Sequence, residues 1–416
     1  MQKFIKIMCI NAGSSSLKFK LYNVDDGLKT AHTLKERASH MQVLTSGIIE
    51  RIGHEDAIFS ISLPDGSKRK ETLSVKDHDE AAQLLLDALI HDNIIADLDE
   101  IKAIGNRIVQ GGKYFSDSAV LNDDTEEKIK SLIPLAPLHN AAHLTCIHAF
   151  RKVLPNVPQV AVFDTAFHQT MAPKEYIYPV PYEYYEKYAV RRYGAHGTSH
   201  KYLATVAKEM YFPDKEDVNL ITLHIGSGAS VTAIHNGKCV ATSMGLTPLA
   251  GVMMGTRTGD IDPSIMTYLM SCTGKSAEEI YDIYNHKSGL LGLSGISNDT
   301  RDIEVLYQKD ERATLSMDVF CQKISDYICM YAGKLGHVDM IVCSAGVFEN
   351  GPIFRTLTFK DCADLLGLKL DEKANEATVK GKEGIISAAD SKVLISVIPT
   401  DEEMMIALDT QRILNI

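Results

Sequence analysis

With 416 residues, 45% hydrophobic and 23% charged, the chain is long enough for two or three domains with separate cores and too apolar for disorder. A formal net charge of −11 disfavours nucleic acid and anionic membrane as partners, so a negatively charged ligand needs arginines placed locally. The eight cysteines are scattered, with no C-x-x-C pair and no His-spaced zinc pattern, and several lie in apolar runs that suit buried free thiols.

The N-terminal MQKFIKIMCIN runs straight into a strand pattern without a signal-peptide cleavage site, and no stretch approaches about 18 uninterrupted apolar residues. A cytoplasmic protein without a membrane span is expected. Residues 6–23 (KIMCINAGSSSLKFKLYN) read as strand, x-Gly-Ser turn, strand. Short alternating segments around Pro64–Gly66 predict further strands, and Asp79–His91 predicts a helix with a wide apolar face. Ile101–Ile104 reads as a buried strand ending at GNRIVQGG (105–112). Arg107 therefore leaves a strand end beside a glycine pair, where it can clamp a carboxylate or phosphate bidentately; a surface salt bridge is the alternative.

LAPLHNAAHL (135–144) sets His139 at a helix start, and QVAVFD (159–164) is a buried strand ending in Asp164. An acid there points into the usual ligand crevice of an α/β sheet, or else caps a helix. After a tyrosine-rich connector, RRYGAHGTSHKYL (191–203) presents His196 between small residues, with Thr198 or Ser199 able to cap the next helix.

Leu220–Ile234 is strand, Gly-rich turn, strand, and Gly226 and Gly228 let a row of backbone amides approach phosphate oxygens. MMGTRTGDIDP (253–263) then delivers Arg257 between Gly255 and Gly259, followed by Asp260 and Asp262. A phosphate nest followed by a loop-borne arginine suggests phosphoryl transfer. Setting Asn11 on His224, an offset of 213 residues, puts Gly13 on Gly226 and Ser14 on Ser227. Two related halves, each offering a hairpin to a shared cleft, would explain this; chance similarity of two β-turns is the alternative. Helices are expected over 263–273 and 276–285, then a Gly/Ser loop with Asp299 and Arg301, and a long amphipathic region over 303–336. The strand MIVCSAG (340–346) leads into GVFENG (346–351), and VLISVIPT precedes Asp401, Glu402, Glu403 and a last helix.

In order, NAGSSSLKF, PLAPLHN, FDTAFHQTM, HGTSHKY, MMGTR with GDIDP, KSGLLG and IPT with EE and MIA resemble the acetate kinase family of acetate and propionate kinases, from about residue 5 to 410. The resemblance implies an α/β fold of the duplicated actin, sugar kinase and Hsp70 (ribonuclease H-like) type, with two domains around a nucleotide cleft. It places one domain at 1–157, completed by 403–416, and the other at 158–402. It implies reversible, in-line transfer of the ATP γ-phosphate to acetate, giving acetyl phosphate and ADP, with Mg²⁺ or Mn²⁺, in a homodimer. It assigns Asn11 and Glu402 to the metal and Lys18 to nucleotide phosphate. Arg107 and Arg257 become clamps, Asp164 the catalytic acid, His196 the stabiliser of transition-state charge, and His139 a supporting histidine. Arg107, Val109, Leu138, Ala195 and Pro248 would meet the carboxylate substrate. His224, Ile225, Gly226, Ser227 and Gly228, with Asp299, Thr300 and Arg301, and Gly346, Val347, Phe348, Glu349 and Asn350, would form the nucleotide loops.

Several positions depart from the family pattern. Asn106 and Gln110 stand where the family reads His, keeping hydrogen bonds but not a titratable charge. Ser227 replaces an Asn. Ala195 replaces a Phe at the acyl pocket, which predicts a larger pocket favouring propionate or butyrate unless neighbours collapse into it. Phe348 replaces a glycine where the backbone should approach adenosine. Either it obstructs ATP and favours pyrophosphate, or it points away. A nucleotide-binding regulatory protein is the rival from another class, and the retained Arg107, Asp164, His196, Arg257 and Glu402 argue against it.

Overall fold

Four consecutive buried residues, Ile7–Ile10, mark β1 (Phe4–Ala12) as a strand covered on both faces. In the structure, a computed structural model describing residues 4–416 except the Leu138 side chain, β1 lies inside an eight-stranded sheet. β2 (Ser16–Asp25), β3 (Met41–Glu50), β4 (His54–Ser62) and β5 (Lys68–Val75) continue from it as an antiparallel meander. β4 alternates buried and open residues, as a strand with one wet face should. On the other side of β1 comes β6 (Ile101–Ile108), parallel to it, with β7 (Ala119–Val120) at the edge and β8 (Gln159–Phe163) parallel to β6. Two helices share a core with one face of the sheet: α1 (His78–His91), capped by Asp77 on the Glu80 amide, and α2 (Pro137–Val153), which starts on Pro137. Leu85, Leu86 and Leu89 of α1 and Cys146 and Phe150 of α2 share one core with Phe19 and Phe59.

The described residues form two compact units: the chain up to Phe167 together with Asp401–Ile416, and His168–Thr400. In the second, α3 (Gly197–Tyr211) precedes the antiparallel strands β9 (Asn219–Ile225), β10 (Ala229–His235) and β11 (Lys238–Thr242). There follow α4 (Ser264–Thr273), α5 (Thr300–Leu306), α6 (Glu311–Leu335), β12 (Met340–Ser344), α7 (Ala345–Asn350), α8 (Pro352–Leu366), β13 (Gly384–Ile385) and β14 (Leu394–Val397). The sheet order β11-β10-β9-β12-β14 repeats β3-β2-β1-β6-β8 of the first unit, with the same parallel and antiparallel neighbours. Both halves of the chain thus build the same core sheet, and the two Gly-containing hairpins occupy equivalent places in it.

On one face of the second sheet Ile221, Leu223, Val231 and Ala233 meet Phe320, Ile324 and Ile328 of α6 in an apolar core. The opposite face carries Thr222, His224, Ser230 and Thr232, all buried. The last helix, α9 (Glu402–Leu414), returns to the first unit. It crosses β6 at Gly105, where a Cβ would stand 2.3 Å from Thr410 Oγ1 and 2.6 Å from the Ile406 methyl. Glycine is required there by close approach.

Two expectations need correction. The units divide at 167/168 and 400/401 rather than at 157/158 and 402/403, because β8 pairs with β6 from Gln159 to Phe163 and stays in the first sheet. The region 303–336 is not one amphipathic stretch: α5 ends at Leu306, and Asp310 caps a new helix by accepting from the Ala313 amide.

Candidate active site

In the first unit the neighbouring parallel strands β1, β6 and β8 end together and bring Asn11, Arg107 and Asp164 to one place. Arg107 forks onto Asp164, with Nη2 2.6 Å from Oδ2 and Nε 3.1 Å from Oδ1, and its Nη1 donates to Asn11 Oδ1 at 3.1 Å. Asp164 is fully buried. Glu402, first residue of α9, places Oε2 3.9 Å from Arg107 Nε. Burial works against the Arg107 charge, but Asp164 and Glu402 outweigh it and hold the guanidinium firmly protonated. Burial pushes the Glu402 carboxyl up to about 7; Arg107 opposes this, and the Asp164 charge adds to it. Glu403 is buried too, but Lys18 and Lys20 pair with it and keep it below the ordinary carboxylate range.

Two carboxylates against one guanidinium leave surplus negative charge beside hard oxygen donors, Asn11 Oδ1 among them. That set fits a divalent cation such as Mg²⁺, which commonly takes one or two carboxylates and completes its shell with water and substrate phosphates. Among the described residues no group of three or more His, Cys, Asp or Glu side chains is placed to hold a metal alone.

Lys18 is half exposed and pairs with Glu403. His139 sits in the first turn of α2, its ring 6.5 Å from that of His143. Val109 is buried, and the Leu138 side chain lies outside the described residues. Both amides that replace family histidines are buried in structural roles. Asn106 Nδ2 donates to Gln159 Oε1 at 3.0 Å, and Gln110 Oε1 accepts from the Gly112 amide at 2.9 Å.

In the second unit a cavity of about 580 Å³ opens at the β9–β10 turn. Gly226 and Ser227 line it with Asp299, Thr300 and Arg301, and with Gly346, Val347 and Asn350 of α7. The predicted loops therefore do converge. Asp299 caps α5, and the Arg301 guanidinium and backbone amide hold its carboxyl down at about 2. Three of the expected residues do not present their side chains to the cavity. Ile225 and Phe348 are fully buried in the apolar core. Glu349 braces the loop from behind, its Oε1 accepting from the Ala345 amide at 2.7 Å and the Thr400 amide at 3.2 Å. Asn298, Glu304 and Phe354 also line the cavity. The motifs did not reveal them, since Glu304 and Phe354 read as ordinary helix positions.

Beside this turn, His196 stands at the N-cap of α3 with φ +57°, a left-handed conformation uncommon for residues other than glycine. A Cβ added at Gly228 would lie 3.5 Å from His196 Nε2 and 3.7 Å from Arg257 Nη1, so both side chains close on the turn. Arg257 donates to the Pro248 carbonyl at 3.1 Å and has no carboxylate partner among the described residues; burial lowers its pKa. His224 stacks on His196 with centroids 4.1 Å apart and bonds Ser199 Oγ through Nδ1 at 2.8 Å. Ala195 is buried in the core, its carbonyl accepting from His168 Nε2 at 2.8 Å.

The arrangement offers an arginine without a carboxylate partner among the described residues and an imidazole around one glycine-containing turn, equipment for holding a phosphoryl group. The family model described as acetokinase matches residues 6–408. The acetate kinase of Anoxybacillus flavithermus is 50% identical over 412 residues, 99% of each chain, and that of Thermoanaerobacter pseudethanolicus 48% over 413 residues, 98% of this chain and 99% of its own. Among solved structures, Porphyromonas gingivalis acetate kinase superposes with TM-score 0.88 at 42% identity, covering 99% of this chain and all of that one. A Francisella tularensis propionate kinase gives 0.89 at 38%, covering 98% and 99%. Matched along almost its whole length, the chain belongs to the acetokinase family, kinases that phosphorylate a carboxyl group.

Proposed function

We propose that the protein transfers the γ-phosphoryl group of ATP reversibly to acetate, forming acetyl phosphate and ADP, in the cytoplasm and as a homodimer. The observation that carries this is the closure of His196 and Arg257 on Gly228, at the turn whose Gly226 and Ser227 line the cavity. A carboxylate is already a nucleophile and needs no strong base. The difficulty is bringing two anions together, which positive and hydrogen-bonding groups around the moving phosphoryl group overcome.

Arg107, held on Asp164, supplies charge for the carboxylate substrate; Arg257 and His196 supply it for the phosphoryl group. Asn11 and Glu402, beside Asp164, would hold Mg²⁺, which when bound neutralises phosphate charge. Phe348 faces the core, which leaves the nucleotide loops open and favours ATP over pyrophosphate as donor. The small, buried Ala195 keeps propionate as a second acceptor. For self-association, α4 buries none of its side chains, and Tyr268 is 69% exposed next to Ile265 and Ile261, an apolar face suited to a second copy. Among the described residues no helix is long and apolar enough to cross a membrane.

A hydroxylamine trap for acyl phosphate tests the reaction, with Mg-ATP and acetate, propionate or butyrate in parallel and a pyrophosphate arm beside them. Product with ATP is expected, and the preferred acid reads out the Ala195 pocket. Product only with pyrophosphate would overturn the donor, and silence in all arms from folded, nucleotide-binding protein would overturn the activity. Sedimentation at micromolar concentration checks the dimer.

A further inference from the structure

Beneath α3, four side chains form an unbroken line of hydrogen bonds: His196 Nδ1 to Ser230 Oγ at 2.8 Å, Ser230 Oγ to His200 Nε2 at 2.8 Å, and His200 Nδ1 to Thr222 Oγ1 at 2.7 Å. Thr222, His200 and Ser230 are all fully buried. They come from three elements: Ser230 sits across the β9–β10 ladder from His224, Thr222 lies two residues before His224 on β9, and His200 is one turn into α3 from His196. A sheet face and a helix underside in an α/β core are ordinarily apolar, and each buried polar group left without its partner costs on the order of 1–3 kcal/mol. Such a line persists where its geometry is used.

We propose that Ser230, backed by His200 and Thr222, is a positioning device that fixes which ring nitrogen of His196 carries a proton and keeps the Nε2 edge turned to the phosphoryl group. This rests on the role given to His196 in the proposed reaction. Ser230 has a single hydroxyl proton and both of its side-chain partners are imidazole nitrogens, so at most one ring can accept from it; the hydroxyl proton is used within the line only when one ring donates to Ser230 and the other accepts. Burial, with His168 and His224 nearby, holds His200 neutral well below the usual histidine range, so His200 must donate from one nitrogen and accept at the other. The state of His196 Nδ1 is therefore tied to the Thr222 hydroxyl, three hydrogen bonds away. If His200 donates to Ser230, then Ser230 donates to His196 Nδ1 and the His196 proton lies on Nε2. If His200 instead donates to Thr222, then His196 Nδ1 donates to Ser230, and of these two fully bonded arrangements it is this one that allows a charged His196 with both nitrogens protonated.

The test is Thr222→Val and Ser230→Ala in the full-length protein, read by ¹⁵N spectra of labelled histidine and by steady-state kinetics, with His196→Ala and His200→Gln to assign signals. Thr222→Val keeps the shape of the buried end and removes only the hydroxyl. Both variants are expected to move the His196 nitrogen shifts. They should also lower kcat by about tenfold while KM for ATP stays within about a factor of two, since the interaction acts in the transition state. A His196 signature and kcat unchanged in both folded variants would overturn the proposal. If His196→Ala itself retained turnover, the role of His196 in the reaction would fall, while the spectra would still decide whether the line of hydrogen bonds sets its tautomer.

Discussion

Arg107 holds Asp164 by two parallel edges of its guanidinium, Nη2 to Oδ2 at 2.6 Å and Nε to Oδ1 at 3.1 Å, in a pocket where Asp164 has no exposure. Such a fork cannot be copied by a lysine, whose ammonium is a point charge. Arg107→Ala should lower kcat/KM at least about a hundredfold, and Arg107→Lys at least about tenfold. Arg107→Ala also strands a buried carboxylate and should cost roughly 3–5 kcal/mol of stability. Adding Asp164→Asn should restore most of that stability without restoring turnover. Melting curves and initial rates of the three variants check this, and near-normal turnover in Arg107→Ala removes its role as a clamp.

Arg257 differs in kind. Its partners are the Pro248 carbonyl and the Met254 sulfur, so removing it strands no acid. Arg257→Ala is expected to lose at least about a hundredfold in turnover while stability changes by under about 1 kcal/mol. A large loss of stability with little loss of rate would make it a structural residue.

Phe348 fills the core rather than the cavity. Phe348→Ala should cost about 3–5 kcal/mol by denaturant titration. KM for ATP should move by less than about threefold, with no pyrophosphate-dependent activity gained or lost. A large change in nucleotide affinity without a change in stability would reverse the assignment.

His143 on α2 is buried, and burial, with Arg107 and His139 adding to it, pushes its pKa down to about 3. A base depressed in the folded state is stabilising above its unfolded value, near 6.5, and that contribution is lost as pH falls towards 3. Unfolding free energy should therefore decline from about pH 6.5 downward, by up to roughly 5 kcal/mol. His143→Gln should flatten that decline, measured by urea titration between pH 7.5 and 4. Identical slopes in the two proteins would rule out His143 as the cause.

Much of this was legible along the chain, because it depends on neighbours in sequence. The strand–turn–strand grammar of residues 6–23 and 220–234, Arg107 and Asp164 at strand ends, and the loop-borne Arg257 follow from alternation, glycine placement and chain direction alone. The 213-residue offset between the hairpins likewise anticipated two sheets of one topology. A motif, however, names positions and not the side each residue faces. In α7 the helical step of about 100° puts Val347 and Asn350 on the cavity and Phe348 in the core. Ile225, inside a nucleotide motif, is buried in the apolar core through the two-residue alternation of its strand.

What the sequence determined by itself was the identity and local order of the chemical groups. Only the tertiary structure decided which of them meet and in what protonation state. β8 joined the first unit through a ladder to β6, and Ser230, unremarkable in its own strand, came between His196 and His200. Glu402, one of three acids in a row, was set beside Asp164 and Arg107 and driven up to about 7. Desolvation and charge act through space between residues far apart in the chain, and no local pattern carries that information.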